Sequence, residues 1–134
     1  MPRVAGIVRS PQGGTAVDDY LRSSNPNVYA AGDAGLTERA CHERGIDIRV
    51  RRHPFRDVGK ALVCDQAEGF LKMLTREDRI RGVAVVGNDA IDIIGEAIAL
   101  IDRGATARDA ADMPHLHPTM SEIFGRVADD FATA

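Results

Sequence analysis

Apolar residues recur along this chain in two different periods, and the change of period divides it. Residues 46–53, IDIRVRRH, place Ile46, Ile48 and Val50 at every second position. That is the spacing of a strand with one face turned inward. GFLKMLTRE (69–77) and RIRGVAVVG (79–87) predict two further strands, with the polar link TRED as a hairpin turn between them. The apolar run KALVCDQ (60–66) predicts one more. A short helix over TERACHERG (37–45) precedes these strands, with Thr37 able to cap it and Gly45 able to end it.

After residue 87 the period lengthens. NDAIDIIGEAIALIDRG (88–104) sets Ile91, Ile94, Ile98 and Ile101 three or four apart, on one face of a helix that Asn88 or Asp89 can start and Gly104 can end. Ile93 and Leu100 widen that face, so this helix is expected to be covered on more than one side, by a sheet and by another subunit. TARDAADM (106–113) carries Thr106 and Asp109 at capping-box spacing. TMSEIFGRVADDF (119–131) gathers Ile123, Phe124, Val127 and Phe131 on one side of a last helix. A helix, a run of strands and then a run of helices predict the α+β class: an antiparallel sheet of about four strands covered by helices.

Composition changes the picture in three ways. Residues 1–34 are rich in Gly, Pro and Ser and hold only short apolar pieces, so the chain is divided at residue 34, with 35–134 forming the regular domain. A net charge of -3 argues against nucleic acid as the main partner, and Arg49 and Arg51 in RVRRHPFR (49–56) read as a solvated strand face. No apolar run is long enough to cross a membrane, and MPRVAGIVRS lacks the apolar region of a signal peptide. Cys41 and Cys64 form no CxxC or CxxxxC pair, which excludes a disulfide framework and suits a reducing cytoplasm. Cys41 and His42 are adjacent without further ligands at a usable spacing, so no metal site is expected.

Two stretches carry candidate chemistry. In HLHPTMSE (115–122), Pro118 biases His117 toward an extended backbone at the mouth of the last helix. Glu122 in the first turn can accept a hydrogen bond from the imidazole, and a carboxylate-oriented histidine is a suitable general acid–base near neutrality. TMSE is equally a capping box, with Thr119 as cap and Glu122 reaching back, and both readings stand on residue types alone. His115 reads as structural or superficial. In NPNVYAAGDA (25–34), NVYAA reads as a short buried strand, with Gly32 and Asp33 at its carboxyl end. Ligands of open α/β sheets bind at such ends; a plain strand-to-turn transition reads the same residues as well.

Taken in this order, these stretches resemble the C-terminal end of the pyridine nucleotide-disulfide oxidoreductases, and most closely the dihydrolipoamide dehydrogenases among them. DDYLRSSNPNVYAAGDA is similar to the family's second FAD motif, with Ser23 where Thr is usual. GLTERACHERGIDIRVRRHPFRDVGKAL, EGFLKMLTREDRIRGVAVVG and IIGEAIALIDRGATARDAADMPHLHPTMSE run along its dimerisation domain. HPTMSE joined to YAAGD is specific, and the HxHPT form with His115 leans toward the lipoamide enzymes.

The resemblance implies that Gly32 and Asp33 derive from a site for the ribityl chain of FAD. It implies that His117 is the base serving the redox disulfide of a second subunit, with Glu122 orienting it. Residues 1–34 would then be a remnant of an FAD-binding domain. The glycine motifs that bind FAD and NAD are absent, as is the CxxxxC disulfide, and YAAGDA runs straight into GLTERA. The expectation is a truncated, internally deleted descendant: a dimerisation domain inactive alone, with no NAD site and no FAD retained. It would form a homodimer or pair with a full-length relative in the cytoplasm. A binding module that only pairs, and a non-functional gene relic, are the alternatives.

Overall fold

The computed structural model describes residues 29–132. The N-terminal apolar pieces, and the part of the FAD-like motif before Tyr29, lie outside the described residues.

A hairpin sits at the centre. Strand β3 (Gly69–Arg76) and strand β4 (Arg79–Gly87) pair antiparallel to their last rung, Arg76 opposite Arg79. The turn is therefore Glu77–Asp78, both with positive φ (51° and 66°), the two-residue geometry whose twist matches the strands. Strand β2 (Arg49–Pro54) adds to β3, and strand β1 (Tyr29–Gly35) adds to β4, so the all-antiparallel order is β1-β4-β3-β2. Around these strands lie the helices α1 (Glu38–Glu43), α2 (Gly59–Val63), α3 (Ala90–Asp102), α4 (Ala107–Asp112) and α5 (Glu122–Ala132). The predicted class and sheet size hold. Strand β1 lies astride the 34/35 line drawn from composition, so the end of the first segment contributes a strand to the sheet.

Alternation along the strands decides what is buried. Leu71 and Met73 of β3 stand beside Val83 and Val85 of β4, and Ala34 of β1 extends the same face. Ala90, Ile93, Ala97 and Leu100 of α3 and Ile123, Phe124 and Val127 of α5 close over it as one core. On the opposite face Lys72 reaches Glu38 of α1 at 3.0 Å.

Four expectations need correction. KALVCDQ is not a strand: residues 59–63 form α2, which buries Ala61 and leaves Leu62 and Val63 exposed. An apolar run this short has no period long enough to separate helix from strand. The buried face of α3 is Ala90, Ile93, Ala97 and Leu100; Ile91 and Ile98 of the predicted stripe are 46% and 57% exposed. Asp89 occupies the start of α3 with φ 56° and makes no side-chain cap bond. Lastly, Arg49 and Arg51 are not merely solvated. They donate to the carbonyls of Phe131 and Asp130 at 2.9 Å each and lie over the Phe131 ring, so two cations hold the C-terminal end of α5, where the helix dipole favours them. The caps read from sequence on α1 (Thr37) and α4 (the Thr106–Asp109 box) are present.

Candidate functional site

Helix α5 positions the histidine–carboxylate pair. It begins at Glu122, three residues later than TMSE suggests, and the segment before it enters through a cis peptide bond at His117–Pro118. Glu122 divides its two oxygens: Oε1 accepts the backbone N–H of Thr119 at 2.8 Å, and Oε2 lies 3.0 Å from Nδ1 of His117. One side chain thus makes both the contact with His117 and the reach-back bond to Thr119 that the sequence suggests for Glu122. Thr119 does not cap, however. Its hydroxyl donates to the Leu116 carbonyl at 2.6 Å, tightening the loop instead.

The electrostatics follow from those bonds. The hydrogen bond from His117 holds the Glu122 carboxyl below the usual carboxylate range, and the Thr119 N–H and the nearby Arg126 cation add to the effect. An ionised Glu122 accepts Nδ1–H, which leaves Nε2 of the neutral ring as the basic nitrogen. The His117 side chain is 77% exposed while Glu122 is 18% exposed. The carboxylate is sheltered and the imidazole projects outward, an arrangement in which Nε2 can exchange a proton with a group that approaches from solvent.

His115, read from its context as structural or superficial, is largely sheltered and makes a contact that context did not reveal. Its Nε2 is 2.7 Å from Glu96 Oε1 on α3, and its ring lies parallel to Phe124 with centroids 6.5 Å apart. Glu96 was not singled out from sequence. The signal was there: a carboxylate among Ile93, Ile94, Ala97 and Ile98 is costly to shelter without a partner.

Gly32 and Asp33 lie in β1, where its register against β4 slips. Ala31 stands opposite Val85 and Ala34 opposite Val83, so the two residues face Ala84 alone and form a bulge. The strand is the outer one on the side away from β2, whereas α5 packs on β2 and β3. Gly35 and Gly82 let this edge close tightly, with Leu36 N–H donating to the Arg81 carbonyl at 2.8 Å. Cys41 is buried in α1 and Cys64 exposed after α2. Among the described residues no three His, Cys, Asp or Glu side chains group to hold a metal, and no helix is long and apolar enough to cross a membrane.

Comparison with known proteins agrees with this architecture. Residues 28–128 match the family model described as pyridine nucleotide-disulphide oxidoreductase, dimerisation domain. The dihydrolipoyl dehydrogenase of Bacillus subtilis is 37% identical over 97 residues, covering 71% of this chain and 21% of that protein. The dihydrolipoyl dehydrogenase of Geobacillus stearothermophilus is 36% identical over 172 positions, covering 92% of this chain and 37% of that protein. An alignment longer than the chain itself leaves several dozen positions of that relative without a counterpart here. Among solved structures, the HOCl-induced flavoprotein disulfide reductase RclA from Escherichia coli superposes with a TM-score of 0.70 at 21% identity, over 96% of this chain and 41% of that one. The chain therefore spans well under half the length of these relatives. Its sheet, its helices and residues 28–128 together establish that the chain belongs to the pyridine nucleotide-disulphide oxidoreductases, in which it corresponds to the dimerisation domain.

Proposed function

We propose that this chain is a dimerisation module of a dihydrolipoyl dehydrogenase-like flavoprotein, and that it offers His117 as an acid–base group to a site completed by a partner. The observation that carries the reading is the outward imidazole: Nδ1 is held by the sheltered Glu122, and the exposed ring leaves Nε2 for a reacting group. The partner is a second copy or a full-length relative in the cytoplasm. Ile91 and Ile98, exposed on the outer side of α3, support association through that helix.

The reading includes cofactor and thiol sites that these residues do not themselves supply. A disulfide reductase needs a flavin, a hydride donor site and a thiol pair. The sequence holds neither the nucleotide-binding glycine motif nor CxxxxC. Residues 1–34 remain as the remnant of a flavin domain and 35–134 as the dimerisation domain. Gly32 and Asp33, the remaining pair from the FAD motif, sit in an antiparallel bulge against Ala84, and the backbone beside them is taken up by β4. That arrangement does not suit a flavin site, which supports a protein that travels colourless through gel filtration after incubation with excess FAD.

Reconstitution tests the proposal. The chain alone is expected to show no NADH-dependent lipoamide reduction. Mixed with a full-length dihydrolipoyl dehydrogenase whose own histidine base has been replaced by Ala, it is expected to restore turnover, since such a group contributes about 10²–10⁴-fold. The same mixture made with His117→Ala is expected to stay inactive. Turnover by the chain alone, or a co-purifying mixture that His117→Ala restores equally well, would overturn the reading.

A further inference from the structure

Glu96 and His115 come from different parts of the fold, α3 and the connection between α4 and α5. Their 2.7 Å separation requires a proton between them, so Nε2–H donates to the carboxylate. Both are sheltered, with side chains 10% and 22% exposed. The His115 ring lies within 9° of parallel to Phe124 of α5, and its Nδ1 edge stands beside the backbone of Gly125. His115 is therefore gripped by two helices at once, while residues 113–121 around it belong to neither helix nor strand.

His117 lies two residues downstream and has no such grip. It is 77% exposed, and Glu122 is its hydrogen-bond partner. An exposed ion pair contributes too little by itself to hold a side chain in one place. Something must bring the backbone to the right position first. The Thr119 bond to Leu116 closes the loop on its downstream side. His115, stacked on α5 and bonded to α3, fixes it on the upstream side.

We propose that Glu96 and His115 are a positioning pair for His117: anchoring the chain between α3 and α5 holds the imidazole against Glu122. The sheltered pair sets the backbone, and the exposed pair carries the proton chemistry. The proposal rests on the acid–base reading of His117. Its test reads only the geometry of the His117–Glu122 pair, so it can fail while reconstitution succeeds, and the reverse.

The test is an NMR titration of the Glu122 carboxyl in the whole chain, wild type against Glu96→Leu, Glu96→Gln and His115→Phe. In the wild type the carboxyl titrates below its ordinary range because His117 and the Thr119 N–H favour the charged form. Arg126 adds to this and is the same in every variant. Glu96→Leu removes the acceptor, so His117 drifts from Glu122, and Glu122 is expected to bind its proton roughly threefold or more tightly. His115→Phe keeps the stack on Phe124 but not the hydrogen bond, and is expected to behave alike. Glu96→Gln retains an oxygen that accepts Nε2–H and is expected to titrate as wild type. A merely structural role for the pair would lower stability, read by amide exchange in β3 and β4, without moving Glu122. Wild-type titration of Glu122 in both Glu96→Leu and His115→Phe would overturn the proposal. So would failure of both to fold, since the pair would then be holding the fold and not the histidine. If one alone folds, its titration decides.

Discussion

Phe124→Ala is expected to destabilise the chain by about 3–5 kcal/mol, the usual cost of emptying a buried aromatic site. The ring is fully buried in the core formed by the sheet, α3 and α5. A domain of this size is stable by only about 5–15 kcal/mol, so much of the margin would go. The loss has a second part. The ring is also the surface on which His115 stacks, so a cavity there loosens the loop that carries His117. Phe124→Leu fills most of the space and is expected to cost less than half as much. Urea unfolding followed by far-UV dichroism checks both variants. A cost below about 1 kcal/mol for the alanine would mean that the ring is not packed as described.

Gly82→Ala is the second large effect, and it acts at the sheet's edge. A β-carbon on Gly82 would stand 2.0 Å from the Leu36 carbonyl oxygen, and one on Gly35 would stand 2.4 Å from the Arg81 carbonyl oxygen. Both obstacles are backbone and cannot swing aside. The β1–β4 edge must open to admit the methyl, at a cost of about 1–3 kcal/mol. The effect is expected to be local. Amide exchange at Leu36, which donates to Arg81, should lose its protection while β3 keeps its own. Unchanged protection at Leu36 would show that the strands lie farther apart than their register implies.

Much of this fold was legible where one physical rule acted alone. The β3–β4 hairpin declared itself as two strand-like apolar runs on either side of a polar link. The capping box of α4 declared itself by the Thr106–Asp109 spacing, and the two bonds of that box form. Legibility failed where tertiary contacts chose between equals. KALVCDQ suits either backbone state, and in the fold residues 59–63 are helix with Ala61 turned inward. In α3 the isoleucines outnumber the space beneath the helix, so the small residues Ala90 and Ala97 take the inner line and Ile91 and Ile98 are turned outward. Arg49 and Arg51 look solvated in the sequence because their partner, the end of α5, lies about eighty residues away. The same limit applies at the site. His117 and Glu122 are five residues apart and were found together, whereas Glu96 is nineteen residues from His115 and was not.

The double engagement of Glu122 bears on how such a chain drifts over generations. One of its oxygens serves the folding of α5 and the other serves the histidine. A lineage that abandoned the chemistry altogether would still be selected to keep an acceptor at this position, because the helix start needs it. Persistence of the glutamate is therefore no record of retained catalysis. On the proposed reading His117, exposed and kept for its proton chemistry, is the position freer to vary in a lineage without the reaction.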